Sequence, residues 1–331
     1  GVTERRGINW LEDQLDQWAR DSQKALLVAN TTWRIIPSDR SARRLQLLIE
    51  TDLLPGSFLG NLAAGFWARD ISTEVLHDLI KAASKDKSLA AISGRLAVLD
   101  QYIEKYGNQM PILQSLIYQA LEEGTGLTLT VMDSFHWKRL AERVSEDNPL
   151  LVARLCVMAA TGEHHHRSND IREVLQQVIV SGGWQVFEQI VGPAIIENPL
   201  LLWRLDSPFA GRNLLSSLDA KDLVAWIEKD VETRLHLIAH AVPIGDQPLS
   251  NLARALLVRW GDRDDVRSAL AATFGSGHWS GPEGNWLAQK LKQIEGWMTD
   301  PNPNVRAWAI ELADYYRRRI ERAKLLEEEE R

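Results

Sequence analysis

Residues 148–155 read Asn-Pro-Leu-Leu-Val-Ala-Arg-Leu, and residues 198–205 read Asn-Pro-Leu-Leu-Leu-Trp-Arg-Leu. Six of the eight positions are identical, at an offset of 50 residues. A third stretch from Asp300, Asp-Pro-Asn-Pro-Asn-Val-Arg-Ala-Trp-Ala, restarts the Asn-Pro theme at Asn302. Asn at a helix N-cap accepts a hydrogen bond from an otherwise orphaned amide of the first turn. Pro at the first helical position loses nothing, because the N–H it lacks had no partner inside the helix. Each Asn-Pro followed by an apolar run therefore predicts a helix start. Self-similarity at this spacing predicts a repeat architecture. Gln247-Pro248 reads as a degenerate copy of the same signal.

Outward from these stretches, helical periodicity dominates. Leu11, Leu15 and Trp18 share one helix face, as do Leu96, Leu99, Tyr102, Ile103 and Tyr106, and further on Leu223, Trp226 and Ile227. Leu127–Val131 is the one alternating stretch, read as an extended connector or the start of the helix through Trp137. Asp219 and Asp262 are expected to cap helices, with Asp222 and Asp265 favourable near the positive end of the helix dipole. Gly107, Gly124 and Gly162 are expected to end them. The expected fold class is all-α, an α-solenoid of stacked helical hairpins.

Asp300, Val305, Arg306, Ala309 and Ala313 follow a pattern of an Asp, then Val-Arg, then small residues at helical spacing. Asp265-Val266-Arg267 echoes it 39 residues earlier. Over residues 249–325 this resembles HEAT repeats, which implies that the solenoid is built of HEAT-like hairpins. The expected division is an irregular helical region over 1–145 and HEAT-like repeats over 146–331, ending in a charged helix. The two spacings differ, and the Gly-rich stretch 275–284 reads as an inserted loop that reconciles them. The tract through Phe274, Trp279, Trp286, Trp297 and Val305-Arg-Ala-Trp308 is also similar to the C-terminal repeat regions of large bacterial STAND-type NTPase antiviral defence proteins. That resemblance implies a sensor for a phage protein or a nucleic-acid cue, acting in a bacterial cytoplasm. A chain that starts at Gly1 is read here as a piece of a larger protein.

Composition narrows the function classes. The 331 residues carry a net charge of −7, which disfavours a general binder of nucleic acid or anionic membranes. Cys156 is the single cysteine, so no intramolecular disulfide can form, as suits a reducing compartment. No run approaches the 18 or so apolar residues of a membrane span. Trp is abundant, 13 residues against 5 Tyr and 6 Phe. At helical spacing most Trp are expected in the core, and any exposed ones are contact material.

Motifs for chemistry are weak. Glu163-His-His-His166 places three imidazoles side by side, where metal ligands need to converge from different directions, so it reads as a polar turn. Gly277-His-Trp-Ser-Gly281 lacks the Gly-x-Ser-x-Gly spacing of a nucleophile elbow. Asp206 with Asp219-Ala-Lys221 lacks the strands that would gather its carboxylates, and no phosphate-binding Gly-rich motif occurs. Gly56, Gly60 and Gly65 read as close-packing positions. The expected contact residues are His278 and Trp279 in the Gly-rich loop, Arg40, Arg43 and Arg44 in one basic cluster, and Arg317 and Arg318 in another.

The expectation is a non-catalytic recognition module without cofactor or metal, whose partner is a phage or host protein or another domain of its own chain. Two alternatives stand beside it. A HEAT-like DNA glycosylase would use residues such as Trp203, Arg204 and Asp206, and needs a basic concave face. A structural scaffold would place its exposed Trp and Arg at an array end.

Overall fold

The computed structural model describes residues 7–64, 67–107, 110–126, 131–161, 168–205, 214–245, 249–276 and 283–329. All regular elements among them are helical. The α-helices are α1 (Ile8–Trp18), α2 (Ala25–Thr32), α3 (Asp39–Glu50), α4 (Leu59–Ala64), α5 (Thr73–Ala83), α6 (Leu89–Lys105), α7 (Met110–Thr125), α8 (Val131–Asp147), α9 (Pro149–Thr161) and α10 (Ser168–Val186). They continue with α11 (Gly192–Glu197), α12 (Leu200–Leu205), α13 (Ala220–Glu228), α14 (Val231–Ala239), α15 (Asn251–Trp260), α16 (Asp264–Gly275), α17 (Glu283–Trp297) and α18 (Pro303–Glu329). A π-helical turn, Phe187–Val191, follows α10. The chain divides into two compact units, Gly1–Leu175 and Gln176–Arg331. Leu127–Thr130, the expected connector, lies outside the described residues, and Val131 opens α8.

In the first unit, helices two apart in the chain pack together. One row is α3, α5, α7 and α9; a second is α4, α6 and α8. Contacts of α6 with α7, and of α8 with α7 and α9, join the rows. The apolar faces explain this. Leu45, Leu48 and Ile49 of α3 are buried, as are Leu76, Leu79 and Ile80 of α5 and Leu96, Leu99 and Ile103 of α6. Trp137 is buried as well, and its Nε1 donates to the Leu121 carbonyl at 3.1 Å. Gly94 permits α6 to lie on the start of α4, since a Cβ there would sit 2.7 Å from the Gly60 amide nitrogen. Gly56 is equally confined, by the Ala83 carbonyl at 2.7 Å. The packing reading of this glycine stretch therefore holds at Gly56 but not at Gly60, where a Cβ would meet open space; Gly65 is outside the described residues.

In the second unit α13 packs on α15, α14 on α16, α15 on α18 and α17 on α18. An aromatic cluster fills its C-terminal end. Trp297 stacks on Trp308 at 5.7 Å, while Phe274 meets Trp297 and Tyr316 edge-on at 5.2 and 5.7 Å. The pairings within each unit are consistent with a helical-repeat fold.

The Asn-Pro signals behave as local chemistry requires. Asn148 Oδ1 accepts from Leu151 N at 3.2 Å and Pro149 opens α9. Asn302 Oδ1 accepts from Asn304 N and Val305 N at 2.9 and 3.3 Å, and Pro303 opens α18. At Asn198 the main-chain carbonyl takes the Leu201 amide instead, at 3.0 Å, and only the short α12 follows. Asp219 caps α13 through Lys221 N at 2.7 Å. Asp262 does not cap α16. The helix starts two residues later, with Arg263 at the N-cap and no side-chain cap bond. Gly124 lies inside α7 rather than after it. Gln247-Pro248 and Gly162 are outside the described residues.

Candidate functional site

The two Val-Arg signals are one device used twice. Val266 and Val305 are buried. Arg267 Nη1 donates to the carbonyls of Gly261 and Asp262 at 3.0 and 3.1 Å. Arg306 Nη1 donates to those of Asp300 and Pro301 at 2.7 Å each. In both cases an arginine on the first turn of a helix closes the loop that precedes it, reaching back five and six residues. Asp300 completes the second loop. Its carboxylate accepts both Arg254 donors at 2.9 and 3.0 Å and the Asn302 amide at 2.8 Å. The Arg254 hydrogen bonds hold the Asp300 carboxyl below its ordinary range.

From these loops α16 and α18 run beside one another and enclose a groove of about 450 Å³. Arg267 Nε meets Glu311 at 3.2 Å, and Trp308 Nε1 donates to the Arg267 carbonyl at 3.1 Å, so the walls are tied at one end. On α16 the groove is lined by Ser268, Ala271, Ala272 and Gly275, at i, i+3, i+4 and i+7. Opposite stand Leu312, Tyr315, Tyr316 and Arg319 of α18, in the same register. Small side chains facing large ones leave the space open. Arg318 stands on the rim, exposed and without an ion pair among the described residues. Arg319 pairs with Glu283. Tyr315 is 47% exposed, whereas Tyr316 is buried, and burial pushes its phenol up to about 12.

The expected contact residues fall in different places. Arg317 and Arg318 are exposed on α18; Arg317 pairs with Asp314 at 2.9 Å. Arg40 bridges Asp13 and Asp16 of α1 at 2.6 and 2.7 Å. Arg44 is buried, with its guanidinium on Glu12, Asp16 and Thr32. Arg43 is exposed on the same helix. The first cluster is therefore a tie between α1 and α3 with one outward arginine. His278 and Trp279 lie outside the described residues, as do the His164–His166 run and Asp206. No described Trp side chain is fully exposed; the exposed aromatic rings are Phe135 and Tyr315. Tyr315 was not among the expected residues, and its only sequence signal is its place between Leu312 and Arg319 on one face of α18.

Two other polar sites were missed. In the first unit, the fully buried Asp100 of α6 faces one histidine and two arginines of α8. Its carboxylate lies 2.8 Å from His136 Nδ1 and 3.3 Å from Arg139 Nε, with Arg143 Nη1 at 4.0 Å. The spacing of 136, 139 and 143 puts all three on one helix face. Arg139 also holds Glu104 at 3.0 Å. This network links α6 to α8. In the second unit a cavity of about 390 Å³ is lined by Trp226, Arg234, Lys229 and Glu188 among others. There Arg234 lies over the Trp226 ring at 4.5 Å and Lys229 pairs with Glu188 at 2.6 Å. Among the described residues no group of His, Cys, Asp or Glu is arranged to hold a metal ion. No described helix is long and apolar enough to cross a membrane. No family model, curated protein or solved structure matches the chain.

Proposed function

We propose that this chain is a recognition module, a HEAT-like helical-repeat array that binds a protein partner and does no chemistry itself. The observation that carries this reading is the groove between α16 and α18. Its walls are held by the Arg267 and Arg306 loop closures, and its rim offers Tyr315 and Arg318 to solvent. Aromatic and arginine side chains on a rigid support are the usual energetic centres of protein interfaces. Stacked helical hairpins supply such supports without any catalytic group. The setting suggested by the sequence is the sensor region of a bacterial antiviral defence protein, with a phage protein as the cue.

The test is capture on immobilised chain from phage-infected and uninfected bacterial lysates, with an Ala272→Leu, Arg318→Glu double variant alongside. The expected result is a protein enriched only on infection and lost on the double variant. Enrichment of nothing beyond background from either lysate would sink the proposal.

A further inference from the structure

We infer that the cavity formed by the π-helical turn, α11, α13 and α14 binds a free α-amino acid with an aliphatic side chain. This site shares no residue with the α16/α18 groove and lies wholly in the second unit. α11 packs on the π-helical turn and on α14, and α13 packs on α14. Gly192 lets the Trp226 ring lie against the backbone, since a Cβ there would stand 3.1 Å from the ring Cζ2. Phe187 meets the same ring edge-on at 5.3 Å. Trp226 is therefore a fixed, buried wall. Pro193 and Ile196 of α11 add apolar lining beside it. The volume, about 390 Å³, lies toward the lower end of the range of small-molecule sites.

Arg234 carries one unmet charge. Its guanidinium lies 4.5 Å from the centre of the Trp226 ring, and its Nη1 donates to the Trp226 carbonyl at 2.7 Å. Its Nε is buried without a hydrogen-bond partner, and the side chain makes no ion pair among the described residues. An aromatic face offsets only part of the cost of drawing a cation out of water. A guanidinium offers five donors in a planar fork that matches a carboxylate. Arg234 lines the cavity, so a carboxylate bound there supplies the counter-charge it lacks.

Glu197 carries the other. It is the last residue of α11, exposed, on the cavity, and without a hydrogen bond or ion pair among the described residues. The carbonyl end of a helix already gathers negative charge, so a carboxylate at that end favours a bound cation. Lys229 does not fill this place, because it pairs with Glu188 at 2.6 Å. The cavity thus holds one cation and one anion in want of partners, beside a closed pair. Counted together, Glu188, Glu197, Lys229 and Arg234 sum to zero. Phosphate or a di-acid would unbalance that sum and face two carboxylates, whereas a zwitterion leaves it neutral. An α-amino acid carries its ammonium and its carboxylate on one carbon. With these on Glu197 and Arg234, its side chain is left for Pro193, Ile196 and Trp226.

Isothermal titration calorimetry of the full chain with L-leucine tests this. Leucinamide lacks the carboxylate, 4-methylpentanoate lacks the ammonium, and inorganic phosphate is the plain anion. L-Leucine is expected to bind one to one, and each of the other three at least about tenfold more weakly. Glu197→Gln and Arg234→Gln are each expected to weaken L-leucine about tenfold or more. Glu197 is exposed and unpaired, so Glu197→Gln is expected to keep the wild-type unfolding midpoint, and it decides the matter if Arg234→Gln does not fold. No binding of L-leucine tighter than about 1 mM overturns the inference. So does equal binding of leucinamide, 4-methylpentanoate or phosphate, or undiminished binding to either folded variant. Lysate capture probes the groove and this titration the cavity, so either reading can fail without the other.

Discussion

Arg44 is a cation placed where water cannot reach it. Its side chain is 1% exposed and it holds Glu12 and Asp16 of α1. Removing one partner of a buried ion pair strands the other charge. Arg44→Ala is therefore expected to lower the free energy of unfolding by about 3–5 kcal/mol in urea titrations. Arg43→Ala, one residue away and exposed, is expected to stay within about 0.5 kcal/mol. A similar loss from both would mean that α1 is not held by this tie. Nothing in the sequence separates these neighbours, because the partners of Arg44 lie 28 and 32 residues upstream. Cys156 makes the same point for reactivity. Burial raises its thiol above the ordinary range. It is expected to resist maleimide in the folded chain and to label only as urea unfolds the first unit; fast labelling without denaturant would contradict that burial.

At the scale of helices, the Asn-Pro signals were legible because capping is chemistry within four residues. Asn148→Ala and Asn302→Ala are each expected to cost about 1 kcal/mol, and Asn198→Ala less, since its side chain caps nothing. Equal losses at all three positions, measured by thermal and urea unfolding, would contradict this. Asp262 was misplaced because Asp262-Arg-Asp-Asp265 offers three carboxylates within four residues. Only the packing of Val266 decides which turn is helical. The loops of α16 and α18 align residue for residue, Arg263 standing where Asn302 stands. Arg263→Asn is accordingly expected to raise stability, by about 0.5–1 kcal/mol, by supplying the missing cap. Its exposed pairs with Asp265 and Glu232 are worth little to lose. The groove was not legible at this scale. It comes from what α16 lacks, opposite a helix some forty residues further on, and small residues at helical spacing do not say what faces them.

For the whole chain, the acid limb of stability follows from the carboxylates held below their ordinary values. Asp300 is lowered by its Arg254 hydrogen bonds, Asp265 by Arg263, and Asp86 by the Ser88 amide. A carboxylate depressed in the folded state stabilises it fully above the unfolded value, near 4, and loses that contribution as pH falls through the folded value. Urea midpoints are thus expected to be flat above about pH 5 and to fall below about pH 4. Asp300→Asn should start lower at pH 7 and fall less steeply; an unchanged acid slope would show that Asp300 contributes nothing to it. The all-helical character was readable from periodicity alone. The i to i+2 pairing of helices was not, because it depends on contacts between segments whose spacing in the sequence is irregular.

Gly261 sits where the α15–α16 loop meets the start of α18. A Cβ there would collide with the Leu257 carbonyl and stand 2.8 Å from the Asn304 Cβ. The missing methyl acts as a shim of zero thickness between the loop before α16 and the start of α18, where the two groove walls begin. Gly261→Ala would then do more than destabilise. It would push apart the two loops from which the groove walls start. A position that lines no part of the groove would thereby set its width.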